Sequence, residues 1–263
     1  MCIRDRYTGM SLSVEYLGKL AGPVMGGLLA DWFFIKAPFF VSMAILLFLI
    51  LLIPREKKHR HVRKRDLNPF SEMRRFLHHR ELRGMAILGI VMHATFPAFT
   101  IFLPLLIVEK MGLGYSYVGY AYFALGATHI LQFLFGKWSD RKPYRVVLAG
   151  TIISGVFMIL MSSVNIYSLL LVLLFLKGTG NSLWNISAWT LMSRIGEREE
   201  IEGSVIGSYI SIAKIGSFVS FLLSGFVVQV YGIGFLFLVN GLLVILESLA
   251  AYPMLREITP PRV

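Results

Sequence analysis

The 263-residue sequence has one cysteine, Cys2, and only 16% of its residues are charged. A lone cysteine permits no internal disulfide and no thiolate metal cage. The charged fraction is far below the roughly 25% of an ordinary soluble domain. Beside 56% hydrophobic residues, it excludes a disordered tail and a nucleic-acid module. Acidic residues are scarce, 15 against 26 Lys and Arg, leaving a net charge of +11. Such an excess can point to a polyanion, but here the bases fall between long apolar runs. Strand-like alternation is also missing, which argues against a membrane β-barrel and leaves helices as the way to satisfy the backbone in lipid. Mean hydropathy is +0.68. These features describe a polytopic, all-α membrane protein.

A bilayer core takes roughly 20 mainly apolar residues per helix. Eight segments qualify as transmembrane helices: about 9–30, 36–53, 84–108, 116–136, 146–164, 166–192, 204–230 and 232–255. Lys and Arg crowd every second connection. Arg55 to Arg83 follow the second span, Lys137 to Arg145 the fourth, Arg194 and Arg198 the sixth, and Arg256 and Arg262 the last, whereas the alternate connections hold only Lys36 and Lys110. This asymmetry predicts that both termini lie on the cytoplasmic side of the cell membrane. The 54–83 connection reads as a cytoplasmic loop. Asn68 and Pro69 predict an N-cap and first turn, and Phe70, Met73, Phe76 and Leu77 a short helix lying on anionic headgroups. His59, His61, His78 and His79 read as part of a solvated basic face rather than a metal site. Residues 84–255 form one six-helix unit and 256–263 a tail.

A shift of 198 positions lays Gly9 on Gly207, Ser13 on Ser211, Gly18 on Gly216 and Gly27 on Gly225, and continues through Phe39 on Phe237. The first two spans therefore look like a copy of the last two. The repeating unit is then six helices, a known transporter plan, and the chain is expected to lack the first four of twelve. Residues 1–8 read as a truncated or non-native leader before the pair at 9–53.

Gly18, Gly22, Pro23, Gly26 and Gly27 form the pattern G-x-x-x-G-P-x-x-G-G. Glycines at i, i+4 and i+8 predict a flat face for close helix approach, and Pro23 predicts a bend. Gly136, Asp140, Arg141, Lys142 and Arg145 lie in Gly136-Lys-Trp-Ser-Asp-Arg-Lys-Pro-Tyr-Arg145, where Gly136 would permit a tight turn. The first pattern resembles the helix-five motif of the major facilitator superfamily, particularly its drug:proton antiporters, and the second resembles the family's G-x-x-x-D-R-x-x-x-R loop. The resemblance extends from about residue 9 to 255. It implies a major facilitator-type helical bundle, here helices five to twelve, and a loop that latches a gate as two halves rock.

Polar groups at mid-membrane are costly and usually face a cavity. Lys177 shares a helical stripe with Asn181 and Trp184, with Asn185 at its margin. His93 shares one with Phe96 and Thr100, His129 one with Tyr122 and Gln132, and Lys214 one with Ser208 and Ser211. The resemblance implies that these stripes converge on a translocation path. The histidines are candidates for proton coupling, and two mid-membrane lysines lean toward an anionic or amphipathic substrate. Glu15 and Lys19, one turn apart, are expected to neutralise each other, and Glu247 to sit on a peripheral helix.

The leading expectation is a secondary transporter, not an enzyme, that exports a small molecule by alternating access, in the manner of multidrug efflux. It would draw on a proton gradient and use no cofactor or metal. It would act as a monomer when full length, with the lipid bilayer and a small-molecule substrate as partners and no nucleic acid. The alternative is a complete eight-helix membrane enzyme acting on lipid-linked substrates.

Overall fold

The computed structural model describes residues 3–52, 69–198 and 202–255. Among these the chain is helical with no strand. The elements are α1 (Ile3–Trp32), α2 (Ala37–Leu52), α3 (Pro69–His78), α4 (Arg80–Ala94), α5 (Leu103–Leu105), α6 (Tyr115–Ala127), α7 (Gln132–Arg141), α8 (Pro143–Met161), α9 (Tyr167–Arg198), α10 (Glu202–Tyr231) and α11 (Ile233–Leu255). Among the described residues, Arg80–Lys110, Pro143–Met161, Tyr167–Glu197, Val205–Tyr231 and Ile233–Leu255 are long and apolar enough to cross a membrane, and Ala37–Leu52 is a shorter apolar helix. The segment expected at 9–30 lies within α1, and that at 116–136 is α6 and α7 joined by the 3-10 turn Thr128–Leu131.

Burial divides these helices into an inner and an outer set. Phe39 and Leu51 on α2 are 74% and 83% exposed, and Ala37 is that helix's buried residue, so α2 turns its apolar side chains outward. The inner helices touch where side chains are smallest, because apolar surface gains little by leaving lipid and contact must come from close backbone approach. A Cβ on Gly150 would stand 2.7 Å from the Gly180 carbonyl, and one on Gly180 2.7 Å from the Gly150 carbonyl, so α8 and α9 cross backbone to backbone. Gly155 and Gly241 join α8 to α11 in the same way, and Gly216 of α10 lies against the Ile90 carbonyl of α4.

One helix is broken, and its break is repaired from outside. Pro97 has no N–H, so it cannot serve the His93 carbonyl four residues earlier. The Ala98 N–H bonds instead to Thr95 O, 3.1 Å away, which also strands Ala94 O. A backbone N–H of the cap reaches His93 O, and α10 adds side-chain donors to both carbonyls: Ser217 Oγ donates to His93 O at 3.0 Å and Ser220 Oγ to Ala94 O at 2.5 Å. Beyond the break the chain continues as π-helical turns at Ala98–Phe102 and Leu106–Lys110, with α5 between them.

A second bond joins elements far apart in sequence. Asp31, at the end of α1, accepts from the backbone N–H groups of Tyr115 (2.8 Å) and Ser116 (2.7 Å), capping the start of α6. Burial works against its charge, but the Ser116 hydroxyl and these two N–H groups outweigh it and hold the carboxyl below its ordinary range. The helices beneath this cap are in close contact. A Cβ on Gly27 would stand 2.5 Å from Tyr115 O, and one on Gly119 2.5 Å from Pro23 O.

Three expectations change. Gly18, Gly22 and Gly26 meet no described atom within 4 Å of a Cβ, and the contact passes through Gly27 and the Pro23 carbonyl instead. The i, i+4, i+8 stripe points away from α6, while the residue next to it faces α6. Gly136 makes no turn: α7 runs through it to Arg141, Lys142 is the sole break before Pro143 opens α8, and its Cβ would stand 3.6 Å from Ile186. Finally, α3 does start at Pro69, but Phe76 is 3% exposed and packs in the core formed with α4, α9 and α10, so the helix docks on protein as well as facing outward with Leu77. The proposed Asn68 cap, His59 and His61, the first two residues of the leader and the 256–263 tail lie outside the described residues, and residues 3–8 of the leader are part of α1.

Ser217→Ala and Ser220→Ala should each lower stability by about 0.6–1.5 kcal/mol, measured by SDS titration in bicelles; an unchanged midpoint for both would show that the orphan carbonyls are satisfied otherwise. Asp31→Ala should cost about 1 kcal/mol at neutral pH. Because the folded carboxyl titrates below its unfolded value, that difference is fully present above the unfolded pKa and disappears as pH falls through the folded one. A difference between Asp31→Ala and the parent that stays constant across the acid range would contradict the cap.

Candidate functional site

The broken helix, α6, the 3-10 turn, α9 and α1 surround a cavity of about 510 Å³. Its wall takes His93, Phe96, Phe99 and Thr100 from the break, Tyr122 and Leu125 from α6, and His129 from the turn. Lys177, Asn181, Trp184 and Asn185 come from α9, Lys19 from α1. A larger space of about 570 Å³ opens at helix ends among Lys110, Ser162 and Tyr231, with one charged side chain on its wall. The polar chemistry is gathered in the smaller one.

Packing fixes which face of α9 looks into the cavity. Besides the Gly150–Gly180 crossing, Gly178 lies against the Leu125 carbonyl of α6, and Thr128 Oγ1 and Ser182 Oγ are 3.1 Å apart. Ser139 Oγ donates to Thr190 Oγ1 at 3.2 Å further along. Held this way, Lys177 is 2% exposed, with its Nζ 3.9 Å from the Phe99 ring centroid. That is cation–π range. Tyr122 OH donates to Phe99 O (2.6 Å), which ties α6 to the π-helical turn and steadies the ring beneath the ammonium.

His93 Nδ1 lies 3.0 Å from Gly89 O, and His129 Nδ1 3.2 Å from Gly126 O. A carbonyl only accepts, so Nδ1 carries the hydrogen in each, and Nε2 is the nitrogen that exchanges a proton. The His93 ring also stands edge-on to Trp184, centroids 6.1 Å apart. Ser154 Oγ donates to Asn181 Oδ1 at 3.1 Å, and Trp189 Nε1 to Asn185 Oδ1 at 2.9 Å.

Of the residues singled out from sequence, His93, Thr100, His129, Lys177, Asn181, Trp184 and Asn185 meet on this wall. Gln132 does not; its Nε2 is buried without a partner elsewhere. Lys214 is not on the wall either, although its Nζ is 5.3 Å from the ring of Phe96, which is. Stripe counting missed Lys19, which had been paired off with Glu15, and Phe99. A π-helical turn holds more residues than the 3.6 that a stripe assumes, so Phe99 and Thr100 can both reach the cavity. Pro97 was the available signal. Glu247 is 4% exposed, on the inward face of a helix whose other face, with Leu246 and Leu249, lies outward, and both its carboxyl oxygens are unpartnered. In the loop motif, Arg145 Nε donates to Tyr144 OH at 2.9 Å, and the side chains of Asp140 and Arg141 lie outside the described set. No group of three or more metal-ligating side chains occurs among the described residues.

Comparison with known proteins places this architecture. The family model described as Major Facilitator Superfamily matches residues 3–200 and again 126–263. An uncharacterized MFS-type transporter of Bacillus subtilis, YuxJ, is 28% identical over 240 residues, covering 86% of this chain and 60% of that protein. MJ1560 of Methanocaldococcus jannaschii, also described as an uncharacterized MFS-type transporter, is 25% identical over 94% of this chain and 65% of its own length. The multidrug resistance protein MdtG of Escherichia coli is 26% identical over 94% of this chain and 62% of its own. The chain thus spans less than two thirds of the length of these relatives. The matches set aside the membrane-enzyme alternative in favour of a family of transporters. This helical membrane chain belongs to the Major Facilitator Superfamily.

Proposed function

We propose that the chain is the greater part of a secondary transporter that exports a small molecule by alternating access in exchange for protons. The cavity walled by Lys177, His93 and His129 carries this reading, because it lies where α1 meets the broken helix, α6 and α9. On this assignment α1 and α2 close one six-helix half and α4 to α11 form the other, so the cavity lies on the seam between halves. The name of the multidrug-resistance relative supports export as the direction. The Lys and Arg asymmetry supports a cell-membrane protein with cytoplasmic termini.

The seam supplies a gate. By that orientation, Asp31 and the start of α6 are at the outer end, where the carboxylate cap and the Gly27 and Gly119 contacts hold α1 against α6. Opening outward must part them, while the α8–α9 and α8–α11 glycine contacts lie within one half and need not change. The cavity histidines suit proton exchange, since each keeps one ring nitrogen on its own helix and leaves Nε2 to titrate. Substrate and proton then compete for one basic chamber whose access alternates.

In a Cys2→Ser background, oxidising Asp31→Cys with Ser116→Cys should stop dye efflux from cells expressing the chain, and a reductant should restore it. Efflux that continues through a fully formed crosslink would remove this seam from the gate. His93→Gln with His129→Gln should leave any residual efflux insensitive to a protonophore; retained sensitivity would place proton coupling elsewhere.

A further inference from the structure

Taking the transporter reading as its base, we infer that this cavity selects amphipathic organic anions: an aromatic or similarly flat apolar body bearing one carboxylate, sulfonate or phosphate that docks on the Lys177 ammonium.

The balance of charge comes first. Among the described residues, Lys19, His93, His129 and Lys177 stand on the cavity wall and no Asp or Glu does. An ammonium has three donors and no acceptor. Lys177 is almost wholly buried, and its recorded contact is the face of Phe99. A ring face attracts the charge but offers no lone pair to receive its N–H groups. Buried charges are ordinarily paired or hydrogen-bonded, so a lysine kept here asks for a ligand that supplies the acceptor.

The hydrogen-bond inventory has the same sign. Trp184, also on the wall, has its indole N–H buried without an acceptor. Asn181 receives Ser154 Oγ on its carbonyl oxygen, which leaves the amide nitrogen, a donor, for a ligand. Thr100 Oγ1 and Tyr122 OH spend their hydrogens on the backbone carbonyls of Phe96 and Phe99, so those two carbonyls are engaged. A cationic substrate would meet like charge and surplus donors. A neutral one would leave the ammonium stripped of water and unpaired. An anion resolves both.

Shape sets the rest of the molecule. Phe96, Phe99, Tyr122 and Trp184 give the cavity flat apolar walls, and about 510 Å³ suits a compact ligand of one to three rings.

The test uses three probes of one shape: 2-naphthoate, 2-naphthamide and 2-naphthylmethylammonium. Their binding to the chain in nanodiscs is followed by tryptophan fluorescence, against empty nanodiscs. The carboxylate should bind at least about tenfold more tightly than the amide, and the ammonium more weakly than either. Lys177→Met should abolish the carboxylate's advantage, while Lys177→Arg retains part of it. Equal affinity for carboxylate and amide, preference for the cation, no carboxylate binding at millimolar concentration, or an advantage surviving Lys177→Met would overturn the inference. The parent protein alone decides the first three outcomes, so a variant that fails to fold does not remove the test. Proteoliposome flux of the same probes separates the two claims. Flux without charge preference sinks the anion site and keeps the transporter, whereas Lys177-dependent carboxylate binding with no flux of any probe keeps the site and sinks the transporter.

Discussion

A backbone carbonyl in lipid has no water to turn to, and much of this structure follows from two that Pro97 leaves behind. Once residues 93 and 94 lose their ordinary α-helical partners, a donor from a neighbour helps to satisfy them. The serines of α10 meet them, so α10 is held against α4 at one register. The same break releases the chain into π-helical turns, which bring Phe99 and Thr100 to one cavity wall. Phe99 in turn supports Lys177, and its carbonyl anchors Tyr122. A single missing N–H is thus connected through short bonds to each of three walls.

The fold was legible because its signals are one-dimensional. Apolar run length marks spans, and that signal survives without knowledge of contacts. The α9 stripe was legible too, since that helix is regular and 100° per residue places Lys177, Asn181 and Trp184 together. Where regularity fails, the reading fails with it. Helical stripes could not foresee Phe99 inside a π-helical turn, nor that Gln132, just past a 3-10 turn, would leave the cavity wall shared by His129.

Small residues were harder to read, because a glycine's meaning lies in the neighbour that it admits. The 18, 22, 26 spacing is regular, yet the close contact falls to Gly27, one position away. Gly136 in a loop signature became an ordinary helical residue. Lys19 was read only as half of a pair with Glu15, and spacing along a helix does not tell which side chain also faces a cavity. Glu247 lies on the face of α11 that packs against α4 and α8, while the helix's opposite face stays outward.

The bond between Asp31 and α6 has a consequence for how such proteins diverge. Two of its three donors belong to the main chain, and every residue except proline brings that donor along. Drift at positions 115 and 116 therefore leaves most of the clasp intact, and no compensating exchange between the two sides is required. A search for correlated substitutions across this seam would pass over the contact, although the two segments meet there.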